Sequence, residues 1–320
     1  MEVCHVVQMA SSGKGSWELQ RHIEGLTWKG KYHLHKILTP YYWHLSAHPN
    51  GNYIVSQMCE SKVCLPELLS LFKLSLSKVC EDFYSCRVLQ TLIKVCSVKD
   101  ILVLSDSLTD LEIYDLCTRR HGSWSISALY IKTLSSKIRE VVFTFAPTLS
   151  THNCGMRVVG NVFKFTAMHG LSIERGVNSL ISSRCALSLS THMFGHSFVR
   201  ICLEMANPEQ RFKLFNILSD KVVPLAFNRF GSIVAEKIVA HACPSEVERM
   251  GVIIVDNVAL MHAFTMSFCA KYVLSLLLSR SSGPMLFKGI LYLRDMQQRS
   301  TKEAVEADHA LNLLSKFQRM

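Results

Sequence analysis

The sequence predicts an all-α protein, a curved α-solenoid of stacked helical repeats. Three observations predict it: small residues recur at a nearly fixed spacing, an apolar stripe of helical period follows most of them, and clear strand alternation is absent. The anchors are Gly15, Gly51, Ser85, Gly122, Gly155, Gly195, Gly231 and Ala270, separated by 36, 34, 37, 33, 40, 36 and 39 residues. Unrelated glycines would not keep so narrow a spread. A unit of this length cannot bury its own apolar face, so neighbours must stack to supply the core.

Each anchor opens a helical phrase. The stretch after Gly231 has two faces: Ser232 and Glu236 are four apart and lie on one side, whereas Val234, Ala235, Ile238, Val239 and Ala242 form an apolar stripe on the other. The same offsets give Val88, Leu89, Leu92, Ile93 and Cys96 after Ser85, and Phe198, Val199, Cys202, Leu203 and Ala206 after Gly195. The first and fourth copies are degraded, with Glu18, His22 and Ser125 at stripe positions. Between anchors there is room for one or two further helices. Pro208-Glu209-Gln210-Arg211 opens one, continued by Leu214, Leu218, Val222 and Leu225, and Pro244-Ser245-Glu246-Val247 opens another. At the ends, the first unit starts almost at Met1 with Val3, Val6, Val7 and Met9 as its leading helix, which leaves little chain to cap it. Pro284 to Leu293 reads as a capping helix and Ala307 to Phe317 as a final one. Residues 1–300 are expected to form one repeat domain and 301–320 a helical tail.

Composition narrows the function classes. With 49% apolar residues the chain can build a sizeable interior, and a formal charge of +10 favours an anionic partner such as nucleic acid. No apolar run approaches the roughly 18 residues of a membrane span, because Asp256, Asn257 and His262 interrupt the most apolar stretch. The start lacks the pattern of a secretory signal, so the twelve cysteines read as reduced core thiols of the cytosol or nucleus. Gly13-Lys14-Gly15-Ser16 is no phosphate loop, since Gln8 stands where a glycine is required and no strand precedes it. Neither Cys59/Cys64 nor Cys80/Cys86 has zinc-finger spacing, and no nucleophile–base or paired-carboxylate arrangement stands out. The expectation is a protein with no catalytic activity, metal or cofactor.

The phrases Asn-Gly-Asn-Tyr-Ile-Val and Ser-Cys-Arg-Val-Leu-Gln, repeated in register over roughly residues 1–290, resemble Pumilio (PUF) repeats. The resemblance is strongest in the second, third, sixth and seventh units. It implies a right-handed crescent of eight three-helix repeats that binds single-stranded RNA along its inner face, one base per repeat. It further implies UGUA-containing elements in 3′ untranslated regions, a role in translation and mRNA stability, and repression or deadenylation factors on the convex face. A cytoplasmic monomer is expected.

The residues fit such a role. The first and fifth positions after each anchor form an i, i+4 pair that can touch one base edge, and the second position can stack between bases. Planar groups occupy that second position at Trp17, Tyr53, Arg87, Trp124, Arg157 and Tyr272. By resemblance, Ser16 with Gln20 and Cys86 with Gln90 read adenine, and Ser232 with Glu236 reads guanine. Asn52 is half of a uracil pair whose partner position holds Ser56. With RNA antiparallel to the protein, the seventh unit reads the second base, and the first and third read the eighth and sixth. Ser123 with Ser127, Met156 with Gly160, His196 with Arg200, and Lys271 with Ser275 have no settled base preference. Lys271, His196 and Arg200 instead suit phosphates, while Met156 and Gly160 suit packing.

Plainer roles compete: a core aromatic for Trp17 and Trp124, and a helix-start turn for Ser232 and Glu236. Two alternative functions stay open, a nucleolar ribosome-assembly protein of low base specificity and a protein-binding solenoid of armadillo or HEAT type. The discriminating observation is Trp17, Arg87, Trp124, Arg157 and Tyr272: if they point into the core, there is no RNA platform.

Overall fold

A computed structural model describes residues 3–299 and 301–319; Met1, Glu2, Ser300 and Met320, at the limits of the expected segments, lie outside the described residues. Helices and short connections make up the described chain, with no strand among the described residues. Each anchor sits at or within three residues of a helix start. We number these helices by repeat: α1 (Gly13–Gly25), α2 (Gly51–Glu60), α3 (Ser85–Val95), α4 (Arg120–Thr133), α5 (Asn153–Met168), α6 (Gly195–Met205), α7 (Gly231–His241) and α8 (Ala270–Arg280). A last helix, α9, spans Thr301–Gln318.

The chain divides into two compact units. One runs to Phe145 and takes in His152–Ser172, and the other comprises Ala146–Thr151 and everything from Ile173. In the first, α1 to α5 pack side by side in sequence order; in the second, α6 packs on α7, α7 on α8 and α8 on α9. The helices between the anchors, such as Leu65–Lys73 and Pro208–Leu218, form a second layer behind these rows.

The need for a small anchor residue is steric. At Gly15, Gly51, Gly122, Gly195 and Gly231 the start of the row helix lies directly on the preceding helix. A Cβ on Gly122 would come within 2.6 Å of the Leu116 carbonyl oxygen, and one on Gly231 within 2.7 Å of that of Leu225. Ser85 and Ala270 meet the same demand with the smallest side chains. A repeated cap fixes these starts. The residue three before the anchor accepts the anchor's N–H: Ser12, His48, Asp82, His192, Asn228 and Ser267 all do so, at 2.7 to 3.2 Å. Such a cap satisfies a donor that the helix itself leaves unpaired. Arg119 and His152 hold that place in the fourth and fifth copies, and α4 and α5 instead begin two residues before their anchors.

The expected stripes are the core. Val88, Leu89, Leu92 and their counterparts after Gly195 and Gly231 are buried, and Phe163, Phe198 and Phe264 are fully so. Each such side chain contributes about 1.5–3 kcal/mol on leaving water. The degraded copies differ from one another. Glu18 and His22 turn to solvent, whereas Ser125 stays buried and donates to the Cys80 carbonyl at 3.4 Å. Cys59, Cys80, Cys117 and Cys202 are core thiols, and burial pushes Cys80 and Cys117 up to about 12, so neither is a ready nucleophile.

Two expectations are adjusted. Leu214 and Leu218 lie on Pro208–Leu218, but Val222 and Leu225 belong to a separate short helix, Val222–Ala226, beyond a turn at Ser219–Lys221. The capping helix is longer than expected, Gly283–Gln297, and α9 packs against both it and α8. No single described helix is long and apolar enough to cross a membrane, and the most apolar stretch bends by 96° between Pro244–Val255 and Val258–Met266.

Candidate nucleic-acid interface

The stripe points inward, so the second residue of each phrase is carried outward. Trp17, Tyr53 and Trp124 are 58%, 47% and 53% exposed, and Arg87 is exposed as well. Arg157 and Tyr272 are half-buried. None of the six lies in the core, so the planar groups stand at the surface. They do not stand as isolated blades, however. The Arg157 guanidinium lies 4.4 Å over the Trp124 ring, Arg21 lies 4.8 Å over Trp17, and Arg87 lies 4.4 Å over Phe83. Tyr272 meets His309 of α9 edge-on at 5.9 Å. In the sixth copy, where Ser197 cannot stack, His196 lies parallel to Phe230 at 5.2 Å. Phe83 and Phe230 thus add planar surface that the phrase positions did not indicate, since each lies just before an anchor.

The first residues of the phrases sit deeper, wedged at the helix starts. Ser16, Asn52, Cys86, Ser123, Ser232 and Lys271 are all buried. Their donors are turned inward. Ser16 Oγ donates to the Asn50 carbonyl at 2.9 Å, Cys86 Sγ to Phe83 at 3.2 Å and Ser232 Oγ to Arg229 at 3.2 Å. Asn52 Nδ2 donates to both His48 and Pro49 at 2.8 Å. What Ser16, Asn52, Cys86 and Ser232 keep for a ligand is therefore acceptor capacity. Gln20, half-buried, folds back so that its amide donates to Ser16 Oγ at 3.3 Å. Ser56 and Gln90 are half-buried.

Glu236 is different. It is half-buried one turn beyond Ser232, with no hydrogen-bond or ion partner among the described residues. Burial raises its carboxyl above the usual range, an effect that nearby Lys237 partly offsets. Lys237 itself pairs with Glu204 at 2.7 Å. Two acceptors, the Ser232 oxygen and a desolvated carboxylate, thus share one face. That arrangement suits a ligand edge made of donors, as the N1 and N2 groups of guanine are.

The unsettled pairs separate. Lys271 is almost fully buried and its ammonium is committed to Glu306 on α9; it is not free to meet a phosphate, which corrects that expectation. Ser275 donates to the Ala310 carbonyl at 3.1 Å, so α9 covers the eighth pair. Ser123 Oγ donates to the Arg120 carbonyl at 3.0 Å and accepts from Arg157, which leaves it little capacity to read a base. Ser127, the other member of that pair, is buried, and its hydroxyl has no hydrogen-bond partner among the described residues. His196 Nδ1 bonds the His192 carbonyl at 3.1 Å, while Arg200 is exposed and has no partner among the described residues.

The rows define a class before any comparison: a helical-repeat solenoid with planar and acceptor groups in register on exposed helix faces. The Pumilio-family RNA binding repeat matches residues 84–109, 185–219 and 221–250. No curated protein matches the sequence. Among solved structures, PUF-8 in complex with PBE-RNA is 15% identical, and the match covers 99% of this chain and 95% of that one at a TM-score of 0.77. The Puf4 RNA binding domain bound to an HO endonuclease RNA 3′ UTR recognition sequence is 18% identical, with 96% and 97% covered at 0.77. The RNA-binding domain of yeast Puf5p bound to SMX2 RNA is 16% identical, with 98% and 100% covered at 0.71. Three segments of the chain thus match the Pumilio-family repeat, and the chain has the fold of these domains over nearly its whole length.

Proposed function

We propose that this protein binds single-stranded RNA along the exposed faces of its row helices and regulates translation and stability of mRNAs through UGUA-like elements in their 3′ untranslated regions. The observation that carries this reading is the seventh copy, where Ser232 and the unpartnered, desolvated Glu236 offer two acceptors side by side. In the antiparallel register this copy faces the second base, a guanine. Trp17, Tyr53, Arg87 and Trp124 supply stacking surface, and Arg200 supplies a phosphate contact. The positive charge favours the same partner. Repression or decay factors would be recruited by the layer behind the rows, and the protein would act in the cytoplasm without catalysis of its own.

Gel-shift binding to a single strand carrying UGUA-N-AUA, against one with the second base changed to cytosine, tests this. Losing one well-placed base contact of about 1–3 kcal/mol predicts about 5- to 150-fold weaker binding to the changed strand. Equal affinity for both removes the specificity claim.

A second reading has its own support. Ser123 of the fourth pair is spent on Arg120 and Arg157, and the eighth pair on Glu306 and Ala310, which favours RNA binding with sparse base discrimination, as in ribosome assembly. Tight binding to both strands, with a steep salt dependence, would select it.

A further inference from the structure

A second flat, cationic face lies behind the row, next to α1. Between Gly25 and Cys59 the chain holds no Asp or Glu, but it holds Lys29, Lys31, Lys36 and four histidines. Most of that charge is gathered on the helix Trp28–Leu38, which packs against the helix Val3–Ser11. Helical spacing sorts its residues. Leu34, His35 and Leu38 are buried. Trp28, Tyr32 and Lys36, four apart, follow one another along the opposite face, with Lys29 and His33 beside them. All five are exposed, and Trp28, at 66%, is more so than Trp17 or Trp124.

The rings are ordered. Trp28 and Tyr32 lie nearly parallel, with centroids 5.4 Å apart and 12° between their planes, and the Lys36 ammonium stands 5.1 Å from the Tyr32 centroid. Trp28 meets no other ring among the described residues, so it can extend the stack by one more flat group. Lys29 has no acidic partner among the described residues, and Lys36 is 4.0 Å from Glu67, at the limit of an ion pair. A cleft of about 170 Å³ joins this helix to the row: His22 of α1 lines it together with Gly30 and His33. Arg21, next to His22, lies over Trp17. Cationic and planar groups thus continue from α1 to the helix behind it.

The charge calls for an anionic partner, and the arrangement selects its kind. A helix that lies on a membrane puts its apolar and cationic residues on opposite faces, whereas here rings and lysines share one face and the leucines are buried. A single-stranded nucleic acid uses both, its bases stacking on rings and its phosphates meeting cations. We propose that this face holds the stretch of the bound strand that continues 3′ of the eighth base. In the antiparallel register α1 faces the eighth base, so the strand leaves the row beside Arg21 and His22 and passes the cleft. It then stacks a base on Trp28, and Lys29 and Lys36 meet its phosphates. This rests on the RNA-binding reading above and carries the footprint beyond the eight copies. Stacking and phosphate contacts read no base edge, so the flank can have any sequence.

The test extends the RNA and alters the outer helix. Fluorescence anisotropy compares three strands: UGUA-N-AUA alone, the same with four uridines added at its 3′ end, and the same with four added at its 5′ end. Each is titrated with the full chain, with Trp28→Ala and with Lys29→Glu. Both side chains are exposed, so both variants keep the fold, and Lys29→Glu checks the result independently of the ring. The 3′ extension should bind about tenfold more tightly than the short strand, and the 5′ extension within twofold of it. Either variant should erase the 3′ gain and bind the short strand as the parent does. A 3′ gain below twofold overturns the proposal, as does an equal gain from either end or a gain that survives in both variants. So does Trp28-dependent flotation with phosphatidylserine vesicles in the absence of a 3′ gain, which marks a membrane contact. If none of the strands binds, the RNA-binding reading fails and the proposal with it; a short strand that binds without any 3′ gain sinks the proposal alone.

Discussion

Glu236→Gln is expected to weaken binding of a UGUA-bearing strand by about 5- to 150-fold, the equivalent of about 1–3 kcal/mol for a two-point contact with one base. The carboxylate accepts; the amide presents a donor to a donor edge. Folding should not suffer. Glu236 is desolvated and unpartnered, so its ionised form is a cost to the free protein, and a neutral amide relieves it. The variant should therefore melt no lower than the parent. The pH dependence has a definite sign. Burial raises the folded-state pKa, so protonation in the free protein begins at a higher pH than for an ordinary glutamate. Affinity for the guanine strand is full above that raised value and falls as pH drops through it, and Glu236→Gln abolishes this dependence. For stability the sign is opposite: a raised folded-state pKa means this group opposes folding as it ionises, so acidification relieves it. Titrating both proteins between neutral pH and the carboxylate range separates the two effects.

Trp124→Ala is expected to act differently. It removes a stacking surface worth about 1–3 kcal/mol per base, and with it affinity by about 5- to 150-fold. The loss should be the same whether the second base is guanine or cytosine, because a ring face does not read an edge. Removing the indole also takes away the group over which the Arg157 guanidinium is held, and Arg157 Nε is buried without a hydrogen-bond partner among the described residues. Stability should change little, since half of the indole already faces water. Fluorescence-anisotropy titrations of the two variants against the two strands give a two-by-two comparison. Glu236→Gln should collapse the ratio between strands, and Trp124→Ala should leave the ratio while lowering both affinities. Loss of the ratio in both variants would show that the two residues are not acting separately.

The parts of this architecture that were readable are those written in local spacing. A small residue followed by an i, i+3, i+4 stripe is visible within a dozen letters, so α3, α6 and α7 could be placed from Ser85, Gly195 and Gly231 alone. The caps were not readable, because Ser12, His48, Asp82, His192, Asn228 and Ser267 share an acceptor atom and no common letter. The outward pointing of Trp17 and Trp124 followed from the stripe. The stacking of Arg157 on Trp124 joins residues in different repeats, which no spacing rule reports. Lys271 misled for the same reason. It reads as a free cation until α9 is laid beside α8, and the partner that neutralises it lies 35 residues further on.

Ultraviolet crosslinking of the protein to a UGUA-N-AUA strand with a photoreactive base at each position in turn, followed by mass spectrometry of the joined peptides, bears most directly on the claim that one strand lies along the row helices. The account predicts crosslinks at the second base to peptides holding Ser232 and Glu236, at the sixth to those holding Arg87 and Gln90, and at the eighth to those holding Trp17 and Gln20, in antiparallel order. Crosslinks that fall on the helices behind the rows, such as Leu65–Lys73 or Pro208–Leu218, or that show no order along the chain, would contradict it.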